Sequence, residues 1–510
     1  MKIFKKYACL AFICLLSSCG VEKDYWNALP EQSAAVVAID LPKLAGRAGL
    51  NANDDDKGVR RLKEMVKSGL SGSGQLVDKI FADASASGID LNQKLYLFSD
   101  EGNAILGLLA KVSSSSNLAE LMKVLSKEQL CAPVRETEGC KWTVLGKWLV
   151  SYSDHALLIL ADNKWSDPSK LARQASMWLR QEDGQGFAAK SDFQELQSAQ
   201  SDLSAWTSLQ LLPRKVLTPF TMGLSAEIDL KKVKAVTTVN FEDGKIVADI
   251  RPLITDKIMK GLAERKHNAM GTINGKYLDE FPLSTSLWAT ANLKGKQFYE
   301  FLREVPAIRK FFDHSDLPVT LDYGRIFNAI EGDVFFAVTT PEHAQFILWA
   351  DVKQTDLLNV FTELRPMIEK SNGMLHFEER GKDAYCLATR DGSVMNLRQG
   401  PKIFWLGVKN GRFYLTNDEE LIDRRVLGLS LGHKEWGRRV PGQMFCMHTD
   451  WKGLISFEYL VQQNMLQSIP KMIPQLTNTM TVESADGRQI RLEVGLNDKK
   501  QNLLHMLLNQ

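Results

Sequence analysis

Alternating apolar and polar positions that run into Asp-Gly and then resume occur twice in this chain, 243 positions apart. The first is Thr238-Val-Asn-Phe-Glu-Asp-Gly-Lys245 followed by Ile246 to Ile250; the second is Thr481-Val-Glu-Ser-Ala-Asp-Gly-Arg488 followed by Gln489 to Val494. Period-two alternation on both sides of a dipeptide suited to positive φ predicts a β-hairpin at each place. Each is followed by Thr255-Asp-Lys257 or Asn497-Asp-Lys499 and then by an apolar helical stretch, Ile258 to Leu262 or Asn502 to Leu508.

The stretches upstream match in the same manner. Val36-Val-Ala-Ile-Asp-Leu-Pro-Lys-Leu44 and Leu287-Trp-Ala-Thr-Ala-Asn-Leu-Lys-Gly295 both read as an apolar strand, an Asp or Asn suited to cap a helix, and the helix. Ala104 to Val112 with Leu118 to Leu125 parallels Gln345 to Val352 with Leu357 to Phe361, and Ala205 to Pro213 parallels Met444 to Trp451. Trp148 to Leu160 matches Trp405 to Leu415 in the same register, which puts the two tryptophans at equivalent core positions.

These patterns predict an α+β protein of two tandem, internally duplicated halves, each with a largely antiparallel sheet packed by helices. The halves span 30–265 and 283–510. Residues 266–282, rich in turn formers and without periodicity, form the expected linker. Asn51 to Gly74 reads as a helix between loops.

The first nineteen residues carry a different message. Lys2, Lys5 and Lys6 precede an apolar run from Tyr7 to Leu16, and Leu16-Ser-Ser-Cys19 supplies small residues before a cysteine. That is the pattern of a signal peptide, and the run is about half of the roughly 20 residues needed to span a bilayer. The tetrapeptide resembles the bacterial lipobox, so residues 1–18 are expected to be removed, Cys19 to carry the lipid, and 19–29 to form the tether. Gly20 offers no aspartate retention signal, which points to the outer membrane, with a periplasmic or surface-exposed body. No later segment approaches 18 apolar residues in a row, so the expected membrane attachment is through lipid alone. Processing leaves 60 basic and 61 acidic residues, a neutral chain that argues against nucleic acid as a partner. Lys231-Lys-Val-Lys234, Arg424-Arg425 and Arg438-Arg439 read as solvated surface.

Leu29-Pro-Glu-Gln-Ser-Ala-Ala-Val-Val-Ala-Ile-Asp-Leu-Pro-Lys-Leu-Ala-Gly-Arg-Ala-Gly-Leu50, just after the lipobox, resembles the opening of uncharacterised Bacteroidetes-type cell-envelope lipoproteins grouped under a domain of unknown function. Ser191-Asp-Phe-Gln-Glu-Leu196 before a Ser-Ala-Trp strand is similar too. The resemblance implies an envelope lipoprotein and carries over no catalytic residue.

Candidate chemistry is sparse. After processing, Cys131, Cys140, Cys386 and Cys446 remain beside Cys19; Cys131 and Cys140 flank an eight-residue loop and are a candidate disulfide in an exported chain. No cysteine or histidine spacing suits zinc, so no metal or cofactor is expected. Gly428-Leu-Ser-Leu-Gly432 fits the nucleophile-elbow string, but a helical pattern over Asp418 to Leu427 precedes it where a strand is required. Gly271-Thr-Ile-Asn-Gly275-Lys276 is one residue too short for a phosphate loop and reads as a turn. Asp313-His-Ser-Asp316 reads as a polar loop, and the adjacent pairs Glu378-Glu379 and Glu419-Glu420 as solvated faces. The 11 tryptophans are assigned to packing before glycan stacking. The expected role is non-catalytic binding or scaffolding toward an envelope protein or glycan; the alternative is an envelope hydrolase of glycan, peptide or lipid with a scattered active site.

Overall fold

The computed structural model describes residues 23–50, 83–101, 105–162, 167–211, 229–313, 321–340, 345–353, 356–370, 375–389, 403–424, 428–450 and 475–509, with Val426 and a few positions between 59 and 78. The signal segment, Cys19 and most of Asn51 to Gly74 lie outside the described residues. The chain divides into two compact units, residues 1–207 with 508–510 and residues 208–507.

The first unit is built on strands β1 (Ser33–Ile39), β2 (Leu95–Asp100), β3 (Ile105–Lys111), β4 (Arg135–Thr137), β5 (Cys140–Leu145), β6 (Trp148–Tyr152), β7 (Ala156–Asp162) and β8 (Leu203–Ser208). They pair in the order β4-β5-β6-β7-β3-β2-β1-β8, antiparallel throughout. Alternation in β1 buries Val36 and Ala38 and leaves Val37 half-buried, as period two requires. Helix α1 (Leu41–Arg47) starts where expected: the Asp40 carboxylate accepts from Lys43 N at 3.1 Å, with Pro42 in the first turn. Helix α2 (Ser115–Lys127) buries Leu118, Met122 and Leu125 at helical spacing in one core with Val150, Tyr152 and Leu157. Helix α3 (Pro168–Leu179), capped by Asp167, buries Trp178, whose ring meets Phe98 edge-on at 5.7 Å.

The second unit contains β9 (Val233–Glu242), β10 (Lys245–Ile254), β11 (Met270–Gly271), β12 (Leu287–Lys294), β13 (Ile330–Thr340), β14 (Gln345–Val352), β15 (Leu375–Gly381), β16 (Ala384–Thr389), β17 (Ile403–Lys409), β18 (Arg412–Thr416), β19 (Phe445–Asp450), β20 (Thr477–Ser484) and β21 (Ile490–Leu496). The pairing order is β15-β16-β17-β18-β14-β13-β12-β19-β20-β21-β10-β9, with β11 on the end of β12 that β19 leaves free. From β15 to β19 this order repeats, strand for strand, the order from β4 to β8. The architecture is α+β, with antiparallel sheets and helices of mixed order.

Both Asp-Gly hairpins form, with Gly244 at φ 74° and Gly487 at φ 69°, the left-handed region their turns demand. Their placement differs from the sequence reading. The β9–β10 hairpin, assigned to the first half, pairs through β10 with β21 and clusters with the second unit. The division therefore falls near 207, upstream of the expected 266–282 linker. That segment is no free connector either: Ile273, Tyr277, Leu278 and Phe281 are at most 2% exposed and belong to the core with Trp288, Phe335 and Trp349.

The expected match of Trp148 to Trp405 also shifts. The His155 carbonyl accepts from Val112 N just before β7, and the Gly411 carbonyl accepts from Val352 N just before β18. With these positions matched, Leu149, which faces Leu160, corresponds to Trp405, which faces Thr416. A slip of one residue exchanges the faces of a strand. Trp148 accordingly stands 46% exposed while Trp405 packs on the core.

Candidate functional site

Ser430 is the residue the sequence nominated, and its surroundings contain an acid and a histidine. Its Oγ lies 2.9 Å from Asp279 Oδ1 and 2.8 Å from His433 Nδ1, while Ser430 N is 3.2 Å from the same ring nitrogen. The connectivity is wrong for acyl transfer. A hydrolytic triad passes the proton from serine to histidine and orients the histidine with the acid; here acid and imidazole both end on the hydroxyl. Ser430 is 2% exposed, and with His433 it closes a capping box on the turn Leu431–His433. Leu431 N donates to Phe281 O at 2.9 Å, fastening this turn to the 276–280 segment.

The helix expected before Ser430 is absent among the described residues: a single turn, Glu419–Leu421, follows the Asp418 cap. Ser430 is thus a latch. Wild-type protein should not react with a fluorophosphonate probe, and Ser430→Ala should lower stability by about 1 kcal/mol, the usual value of a lost cap. Urea unfolding and gel-based labelling check both; probe labelling that Ser430→Ala abolishes would contradict it.

A second histidine, His448, is committed elsewhere. Its ring stacks on Trp436 at 4.2 Å, with Trp288 5.9 Å away on the same cluster, and Nδ1 is 2.8 Å from Thr481 Oγ1. Burial pushes its pKa down to about 4, with Lys434 adding to the effect.

The string that resembles a shortened phosphate loop does cradle an anion, one of the protein's own. Asn274 N and Gly275 N donate to the Asp333 carboxylate at 2.9–3.1 Å, and Asn292 Nδ2 adds a bond of 2.8 Å. Asn292 serves here in place of the helix cap the sequence suggested; helix α4 (Gly295–Glu304) has no side-chain cap. Asp333 is fully buried. Its own N–H donates to Asp351 Oδ2 at 3.0 Å, and Asp351 also receives the Tyr277 hydroxyl and Lys276 Nζ. Burial, then the Asp351 hydrogen bond, raises the Tyr277 pKa.

Beside this network opens a cleft of about 240 Å³ lined by Glu280, Trp349, Lys409, Arg412, Tyr414 and Arg424, among others. Arg412 sits on its wall with both terminal nitrogens on the Glu280 carboxylate, at 2.8 and 2.7 Å, and its guanidinium 4.4 Å above Trp349 and 4.8 Å above Tyr277. Burial alone would lower its pKa, but Glu280 outweighs it and the pKa is raised. The turn Asn410-Gly411, with φ 54° and 72°, sets Lys409 directly opposite Arg412. This site was missed in the sequence although Asn-Gly between alternating segments is a strong hairpin signal that places its flanking cations side by side.

The other sequence candidates resolve into structure. Cys131 and Cys140 are buried free thiols: the candidate bridge is not formed, since Cys131 Sγ faces the Met122 carbonyl at 3.7 Å within the α2 core while Cys140 opens β5. Glu378 and Glu379 pair separately with Arg380 and Arg365 on an exposed strand. Arg439, expected in solvent, pairs instead with buried Glu483 at 2.7 Å. Asp313 pairs with Arg303, and residues 314–320 lie outside the described residues. No group of three or more His, Cys, Asp or Glu suited to a metal occurs among the described residues, and none of their helices is long and apolar enough to cross a membrane.

A family model described as a domain of unknown function (DUF4836) matches residues 25–435. Among curated proteins, none matches. Two solved structures, titled crystal forms III and IV of TP0453, are similar at 12% and 11% identity, covering 49% and 45% of this chain and 87% and 81% of theirs, with TM-scores of 0.29 and 0.27. At that level the likeness carries no argument.

Proposed function

Since the chain belongs to the DUF4836 family, whose description names no activity, we propose from its own residues that it is a lipid-anchored cell-envelope protein with a non-catalytic binding or scaffolding role. The observation that carries the binding role is the cleft beside Arg412. Its lining offers recognition groups, guanidinium, ammonium, amide and carboxylate on an aromatic floor, and no serine, cysteine or histidine. The hydrolase alternative, which called for a scattered active site, gains no support from Ser430, whose hydroxyl is buried beside Asp279. The shared pairing order of β4 to β8 and β15 to β19 supports the reading that the two halves arose by internal duplication.

Anchoring rests on the lysines, the apolar run and the Leu16-Ser-Ser-Cys19 string, and outer-membrane residence on Gly20 after the lipidated cysteine. Metabolic labelling with a fatty acid should mark the wild type and leave Cys19→Ala unlabelled; continued labelling of the variant would sink the lipoprotein reading. For the binding role, amine cross-linking in intact envelope should yield a protein or glycan joined through Lys409, whereas products confined to intramolecular links would count against it.

A further inference from the structure

We propose that the cleft beside Arg412 receives a small phosphate-bearing anion. The inference deepens the binding role and rests on that reading. Lys409 and Arg412 face each other across the end of the β17–β18 hairpin, an arrangement in which like charges repel. Each is steadied by its own carboxylate, Arg412 by Glu280 and Lys409 by Asp423. The third cation on the lining, Arg424, has no ionic or hydrogen-bond partner among the described residues. Three cations against two acids leave the lining with a net positive charge.

The geometry selects the ligand further. Glu280 meets Arg412 end-on through its two terminal nitrogens, which leaves Nε–H and the outer N–H positions of the planar fork outside that bond. Stacking on Trp349 and Tyr277 holds the fork in place, so little side-chain entropy remains to be lost on binding. Trp349 and Tyr414 are 2% and 6% exposed, too covered to stack an incoming ring. Recognition therefore falls to charged donors, which suit the several oxygens of a phosphoryl group. At about 240 Å³ the cleft is smaller than sites for drug-sized molecules. The same phosphoryl chemistry is offered by a free phosphate compound and by a lipid headgroup.

The test uses the full chain in detergent, titrated with inorganic phosphate against chloride at equal ionic strength and followed by thermal unfolding and tryptophan fluorescence. A second arm measures sedimentation of the unlipidated Cys19→Ala chain with phosphatidylglycerol vesicles against phosphatidylcholine vesicles. Saturable response in either arm is expected and identifies the source. Arg424→Ala, an exposed position whose loss leaves the floor intact, should weaken it by about tenfold or more, the value of one charge-assisted hydrogen bond. Lys141→Ala, in the first unit, should leave it unchanged. No saturable response in either arm, or equal weakening by both variants, overturns the proposal. If Lys409 nevertheless cross-links to a glycan or protein in envelope, the binding role stands and only the phosphate assignment falls.

Discussion

Replacing Asp333 by Ala is expected to destabilise the second unit by about 3 kcal/mol or more, because several hydrogen bonds to one charged acceptor are lost together. The carboxylate is fully buried and gathers Asn274 N, Gly275 N and Asn292 Nδ2. Truncation would take the charged acceptor from all three donors, and a hydrogen bond to a charged group contributes about 1.5–3 kcal/mol. The same bonds fix the 270–282 segment, so Tyr277 and Phe281 would lose their seat in the core with Trp349. Asp333→Asn keeps the shape but turns one acceptor into a donor facing N–H groups, and should also be severe. Urea unfolding followed by tryptophan fluorescence measures both; a loss under about 1 kcal/mol for Asp333→Ala would show that the loop is held by packing alone.

Acidification should weaken the fold through His448. Its folded pKa is about 4 against an ordinary 6.5, because the ring is buried, stacked on Trp436 near Trp288, so the native state binds its proton less readily than the unfolded chain. A group depressed in this way leaves stability intact above pH 6.5. The contribution is lost as pH falls from 6.5 toward 4 and stays lost below that. A shift of that size corresponds to about 3 kcal/mol. His448→Asn, which cannot take up the proton, should flatten that part of the profile while lowering stability at neutral pH through lost stacking. Equal slopes for wild type and variant between pH 6.5 and 4 would refute the assignment.

The sequence was legible where a local rule decides the outcome. Asp40 caps its helix, both Asp-Gly hairpins turn where glycine permits, and the apolar spacing of Leu118, Met122 and Leu125 marks the buried face of α2. It misled where a distant partner decides. Nothing local tells Asn292 to forgo a cap and donate to Asp333, or tells a turn-rich stretch from Ile273 to Phe281 that it will be roofed by Trp288 and Trp349. The one-residue error at Trp148 has the same origin. Matching tryptophans by identity ignores the backbone bonds at Val112 and Val352 that set register. The cleft at Arg412 was invisible for a further reason. Glu280 and Arg412 are 132 positions apart, and no spacing rule reaches across that distance.

The pairing of β10 with β21 has a consequence for biogenesis. Lys245 lies opposite Gly495, so a strand made near the middle of the chain must wait for one made near its end. Until then β10 carries a free edge that invites pairing with any other extended chain. Closing a loop of that length is slow compared with forming the local hairpins on either side. Maturation of the second unit is thus a late event. A chain interrupted between residues 266 and 282 would separate the two hairpins and leave each half with an unmatched ribbon.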